Sequence, residues 1–127
     1  GGPYGALVVF LRVKGHPWFE RSGSDLYCAI PISITQAALG AEITVTALDD
    51  KQLRIKIPAG SQGGKLLRVR DEGVPSPGGK KGDLYLKLLV RVPTKLSAKA
   101  KSLLEEVSRV EGENTSPDRV PLADLQR

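Results

Sequence analysis

The chain has 127 residues, 40% of them hydrophobic, enough for one domain or slightly more with a substantial core. Its lone cysteine, Cys28, excludes an internal disulfide and a cysteine-based zinc cluster. Its lone histidine, His16, excludes a histidine metal pair, and no apolar run is long enough to span a membrane. A net charge of +5, with pI near 9.5, raises nucleic acid as a partner. Lysine and arginine are spread along strand faces rather than gathered in a block, so a basic β-domain binding nucleic acid stands only as the alternative reading. Residues 1–15 lack the layout of a signal peptide, and a cytoplasmic location is the default expectation.

In chain order, Leu7, Leu11 and Val13 mark a first apolar strand. Residues 16–39 then set a proline hinge, a glycine turn, a strand and a capped short helix in sequence, without a catalytic set. His16 is expected to fix the hinge with a hydrogen bond, and Arg21 and Asp25, flanking Gly23, to form a local ion pair. Leu26, Cys28, Ile30 and Ile32 alternate along a strand, so Cys28 reads as a small buried apolar residue rather than a nucleophile. Ser33 and Gln36 have capping-box spacing, and Gly40 is placed to end the helix they start.

Ile43 and Val45, then Leu53, Ile55 and Ile57, alternate with polar residues, the period of half-buried antiparallel strands joined by a turn at Asp49-Asp50. Residues 58–64 break the chain before a strand carrying Leu67 and Val69. The run from Gly60 to Lys65 resembles a phosphate loop, but it is one residue short, has Leu66 in place of the magnesium-binding hydroxyl, and leads into a strand. A glycine- and proline-rich loop over residues 71–82 precedes the longest strand, where Leu84, Leu86, Leu88, Val90 and Val92 share a face.

Ser97 is the N-cap of a second helix with Ala100, Leu103, Leu104 and Val107 in an apolar stripe, and Leu96 is placed to staple its entry near Lys101. A helix of about three turns is marginal alone and needs a surface, either its own sheet or a second chain. Residues 111–127 are polar and proline-interrupted, a tail expected to be disordered, with Val120, Leu122 and Leu125 as its only anchors. The acid pairs Asp49-Asp50, Asp71-Glu72 and Glu105-Glu106 fall on a turn, a loop and a helix surface, where solvated charge explains them better than acid-base chemistry.

Gly5, Leu7, Leu11 and Val13 recur at one constant offset as Gly82, Leu84, Leu88 and Val90, each set in a strand followed by proline. One kind of strand closing two successive domains explains this. On that reading residues 1–15 hold the last strand of a first domain, 16–93 a complete second domain, 94–110 the helix and 111–127 the tail.

The order H-P-x-F-x-R-x-G-x-D-L (His16, Pro17, Phe19, Arg21, Gly23, Asp25, Leu26), PISITQAALGAEITV, IPAGSQGGKLLRV, GVP, GDLYLKLLV and PTKLS resembles the C-terminal substrate-binding region of the DnaJ-type J-domain co-chaperones. The resemblance implies a mainly β fold, the family's antiparallel β-sandwich carboxy-terminal domain II, with a short internal helix and a C-terminal dimerisation helix. It also implies a non-enzymatic domain that binds unfolded or non-native polypeptides, forms a homodimer and delivers clients to a DnaK-type chaperone through the full-length protein. Client binding falls at Val9 and Leu11, and dimerisation at Leu96, Ala100, Leu103, Leu104 and Val107. His16, Phe19, Arg21, Gly23 and Asp25 make a structural hinge motif. No cofactor is implied, because the family's zinc belongs to a cysteine-rich module that has no counterpart in these residues. Neither has the J domain, since His16-Pro17-Trp18 lacks the aspartate of its His-Pro-Asp. Two departures from the family pattern stand out, Gly5-Ala6-Leu7 in the first strand and Asp71-Glu72-Gly73 before Val74-Pro75. The non-glycine Asp71 implies that its position needs no positive φ.

Overall fold

The structure, a computed structural model, describes residues 11–125. Its elements are β1 (Leu11–Val13), β2 (His16–Ser22), β3 (Asp25–Ser33), α1 (Ile34–Leu39), β4 (Ala41–Thr46), β5 (Gln52–Ile57), β6 (Leu66–Val69), β7 (Leu84–Arg91), α2 (Ala98–Glu111) and a 3₁₀ turn, Leu122–Leu125. The chain divides into two compact units, one running through Pro93 and one from Thr94 onward.

The first unit is a mainly β sandwich of two sheets. A five-stranded sheet has the order β1-β2-β3-β7-β6, and β4 and β5 form a two-stranded sheet. Period-two alternation builds the core between them. Leu84, Leu86 and Leu88 on β7 are buried, as are Leu53, Ile55 and Ile57 on β5, and they share one cluster with Leu26, Ile32, Ala37 and Val45. Val92 lies beyond the end of β7 and is exposed, so it is not on this buried face.

The pairing corrects one expectation. β3 and β7 run parallel over eight registered pairs, from Leu26 opposite Leu84 to Ser33 opposite Arg91, while the other ladders are antiparallel. Alternation fixes the face a residue occupies but not the direction of the neighbouring strand, and the connection from β3 to β7 is long enough for a parallel return.

The capping box forms as the spacing predicts. The Gln36 N–H donates to Ser33 Oγ at 3.1 Å and the Ser33 N–H donates to Gln36 Oε1 at 2.9 Å. Gly40, at φ 82°, ends α1. The β4–β5 hairpin turns through Asp50 at φ 66°, and Lys51 ties it to Glu72 by an ion pair of 2.7 Å.

Residues 71–83 clamp the β2–β3 turn. The Val74 N–H donates to the Ser24 carbonyl at 2.7 Å, the Gly73 N–H to the Gly82 carbonyl at 2.8 Å, and the Asp83 N–H to Asp25 Oδ1 at 2.8 Å. Asp71 does take positive φ, 61°, against expectation. Aspartate tolerates the left-handed region better than most residues, and here the Asp71 N–H is held by Asp83 Oδ1 at 3.0 Å.

In the second unit Ser97 caps α2, its Oγ accepting from the Ala100 N–H at 3.1 Å, and Gly112 closes the helix. α2 has 14 residues, a turn longer than expected, and none of them is buried. The tail, expected to be disordered, contains the 3₁₀ turn, with Val120, Leu122 and Leu125 exposed.

Candidate functional site

Pro17 has no N–H to give a neighbouring strand, and the chain uses it at a break in pairing. Along β1–β2, Arg12 faces Glu20 but Val13 faces His16, so Pro17, Trp18 and Phe19 are extra residues on β2, a bulge. On its other side β2 pairs with β3 only from Ser22–Asp25 to Glu20–Tyr27. β3 continues to Ser33 alongside β7, so its other edge has no strand partner from Cys28 onward among the described residues.

A groove of about 490 Å³ opens at this divergence. Its walls are Trp18 and Phe19 from β2, residues 28–31 from β3, residues 43–46 from β4, and Gln36 from α1. None of these residues carries a charge at neutral pH. Phe19 and Val45 are buried at the floor, Cys28, Ile30 and Ile43 are half-buried, and Trp18 is 76% exposed at the rim. Burial pushes the Cys28 thiol up to about 11, so it stays protonated and is a poor nucleophile at neutral pH. The arrangement offers apolar surface beside an unpaired strand edge, the two elements used in strand addition.

Of the hinge-motif residues only Phe19 lines this groove. His16 holds no side-chain hydrogen bond among the described residues. Its contact is an edge-on approach to the Phe19 ring, with centroids 6.2 Å apart. Arg21 and Asp25 form no ion pair. The Arg21 Nε–H donates to the Gly23 carbonyl at 3.1 Å, and Asp25 is taken by the Asp83 amide. Gly23 has φ 60° in the turn between them.

Leu11 is 56% exposed on β1 and is not a groove residue, and Val9 lies outside the described residues. Sequence reading missed Trp18, Cys28, Ile30, Gln36, Ile43 and Val45 as groove residues. The signal available was Pro17 inside a strand, which marks a bulge or an edge.

On α2 the expected stripe is present. Ala100 and Leu104 are half-buried, while Leu103 and Val107 are exposed, as is Leu96 ahead of the cap. Val110 continues the stripe one turn further and is also exposed. No described helix is long and apolar enough to cross a membrane.

Residues 1–93 match the family model described as DnaJ C terminal domain. The chain is 61% identical over 125 residues to the Chaperone protein DnaJ of Treponema denticola, covering 98% of this chain and 33% of that protein. It is 45% identical over 118 residues to the Chaperone protein DnaJ of Brucella anthropi, covering 92% of this chain and 31% of that protein. With the Chaperone protein DnaJ of Chelativorans sp. strain BNC1 it shares 44% identity over 120 residues. The chain thus spans about a third of the length of these relatives.

Proposed function

From this chain's membership of the DnaJ C-terminal domain family we infer that it is the non-catalytic polypeptide-binding and dimer-forming part of a co-chaperone, which holds non-native segments for a DnaK-type partner chaperone in the cytoplasm. The observation that carries the reading is the uncharged groove between Trp18 and Ile43, bordered by the β3 edge that has no strand partner among the described residues. Apolar side chains of an extended client bury against Phe19, Ile30 and Ile43, and its main chain meets the β3 edge. Such contacts need no particular client sequence, which suits a holder of many proteins. Val9 and Leu11 belong to the same proposal as a second client contact at the end of a preceding domain. In this reading residues 1–15 close that domain, 16–93 form the next, 94–110 dimerise and 111–127 form the tail. Dimerisation through Leu96, Ala100, Leu103, Leu104 and Val107 joins two weak sites and raises avidity.

The test is an anisotropy titration of a fluorescein-labelled, reduced and carboxymethylated protein with wild type and Ile43→Asp. Wild type should bind and tolerate salt, and Ile43→Asp, if folded by circular dichroism, should bind at least about tenfold more weakly, since it buries a charge against the client. Equal binding by the two would remove the groove from the proposal.

A further inference from the structure

Among the described residues Gln36 is the only carboxamide in the groove wall, and half of it is already committed. Its Oε1 accepts the Ser33 N–H at 2.9 Å to complete the capping box, which fixes the side chain at the start of α1. The Nε2 amide nitrogen carries two N–H donors, and neither meets an acceptor among the described residues. The other side chains of the wall are apolar except for the Thr44 and Thr46 hydroxyls and a protonated Cys28 thiol. A donor on an anchored, half-buried side chain, in a wall that it shares with the stretch of β3 left without a strand partner among the described residues, is complementary to a main-chain carbonyl.

We propose that Gln36 is a positioning residue for the bound segment, its Nε2 donating to one client main-chain carbonyl and so setting the register in which the client lies along β3. The inference rests on the polypeptide-binding reading above. A carbonyl is present in every residue of every client, so a donor at this point fixes depth and register without selecting sequence. An extended peptide presents side chains to alternate faces, so one fixed register decides which of them enter the pocket formed by Phe19, Ile30 and Ile43.

Glutamate and glutamine both serve at the third position of a capping box, so Gln36→Glu keeps the acceptor for Ser33 and puts a charged, acceptor-only oxygen in place of the donor. Gln36→Met removes both. The probe is a fluorescein-labelled leucine-rich peptide without ionisable side chains, titrated by anisotropy at low and high salt, with thermal unfolding followed in parallel. Gln36→Glu should bind at least roughly 3–10-fold more weakly at both salt concentrations, since one hydrogen bond is lost and an anionic oxygen faces the client carbonyl, with an unchanged unfolding midpoint. Gln36→Met, which loses the donor without gaining a charge, should bind roughly 3–10-fold more weakly and also unfold earlier. Wild-type affinity in Gln36→Glu, with Ile43→Asp still defective, overturns the role of Gln36 and leaves the groove standing. No peptide binding by wild type overturns both.

Discussion

The amide of Asp83 donates to Oδ1 of Asp25 at 2.8 Å, joining residues 58 positions apart in the chain. This bond fastens the start of β7 to the turn that begins β3, and the Leu26 N–H returns to the Asp83 carbonyl at 2.9 Å. The two strands are parallel neighbours from this point onward, so the pair fixes where their register begins. Asp25→Ala leaves a half-buried N–H without its acceptor and should cost about 1–3 kcal/mol in urea unfolding, with Asn, which retains a carbonyl oxygen, costing less. Equal stability of wild type and Asp25→Ala would show that the register is set elsewhere.

Gly73 and Gly82 stand where this clamp closes. A Cβ on either would overlap backbone, with the Ser24 carbonyl nearest in both cases, and the closest atoms are main-chain ones that cannot swing aside. Gly82→Ala and Gly73→Ala should each lose about 3 kcal/mol or more. Gly78, in the same loop, has open space within 4 Å of where a Cβ would stand and no positive φ, so Gly78→Ala should be nearly neutral. Similar unfolding midpoints for all three variants would refute the close approach.

Asp83 also receives the Asp71 N–H at 3.0 Å and pairs with Arg68 at 2.7 Å, and these bonds, the backbone one first, hold its carboxyl below the usual aspartate value of 3.8. A folded-state value below the unfolded one means that the contribution to stability is full above the unfolded value and is lost as pH falls through the folded one. Acid unfolding of wild type should therefore include a component below pH 4 that Asp83→Asn lacks, because the amide does not titrate. Identical slopes of stability against pH for the two proteins would exclude Asp83 as its source.

Much of this is readable from residue order. Ser33 and Gln36 announce the capping box because both hydrogen bonds are local. Leu84, Leu86 and Leu88 announce a buried face because a strand repeats every two residues. The long-range partners are not readable. Nothing near Asp25 points to Asp83, and the nearest opposite charge, Arg21, suggests a pair that does not form. The positive φ of Asp71 depends on an acceptor 12 residues away. The groove arises from a divergence of β2 from β3, a property of two ladders that no single strand's pattern contains.

Cys28 offers a direct probe of the groove wall. With its thiol near 11 against an ordinary 9.0, roughly 100-fold less thiolate is available at pH 8 than in an unstructured peptide. Alkylation by iodoacetamide should be slower by about that factor and should recover in urea. Labelling at the peptide rate in the folded protein would mean that the thiol is solvated and the wall open.

α2 is about 21 Å long and closes with good caps at both ends, yet none of its 14 residues is buried. A helix of this length gains little from hydrogen bonding alone, and covering its apolar face would add the stability that tertiary packing gives most protein helices. Leu103, Val107 and Val110 recur at i, i+4 and i+7 and stand exposed, with Leu104 half-buried beside them. A second copy supplies a matching stripe by symmetry. Light scattering after size exclusion should give wild type the mass of a dimer at micromolar concentration, and Leu104→Glu that of a folded monomer. Lys99→Glu, an exposed charge change in the first turn, should remain dimeric. A wild type that stays monomeric at every concentration, or a Leu104→Glu variant that stays dimeric, would remove α2 from the interface, because a glutamate cannot enter an apolar helix pair without a partner charge.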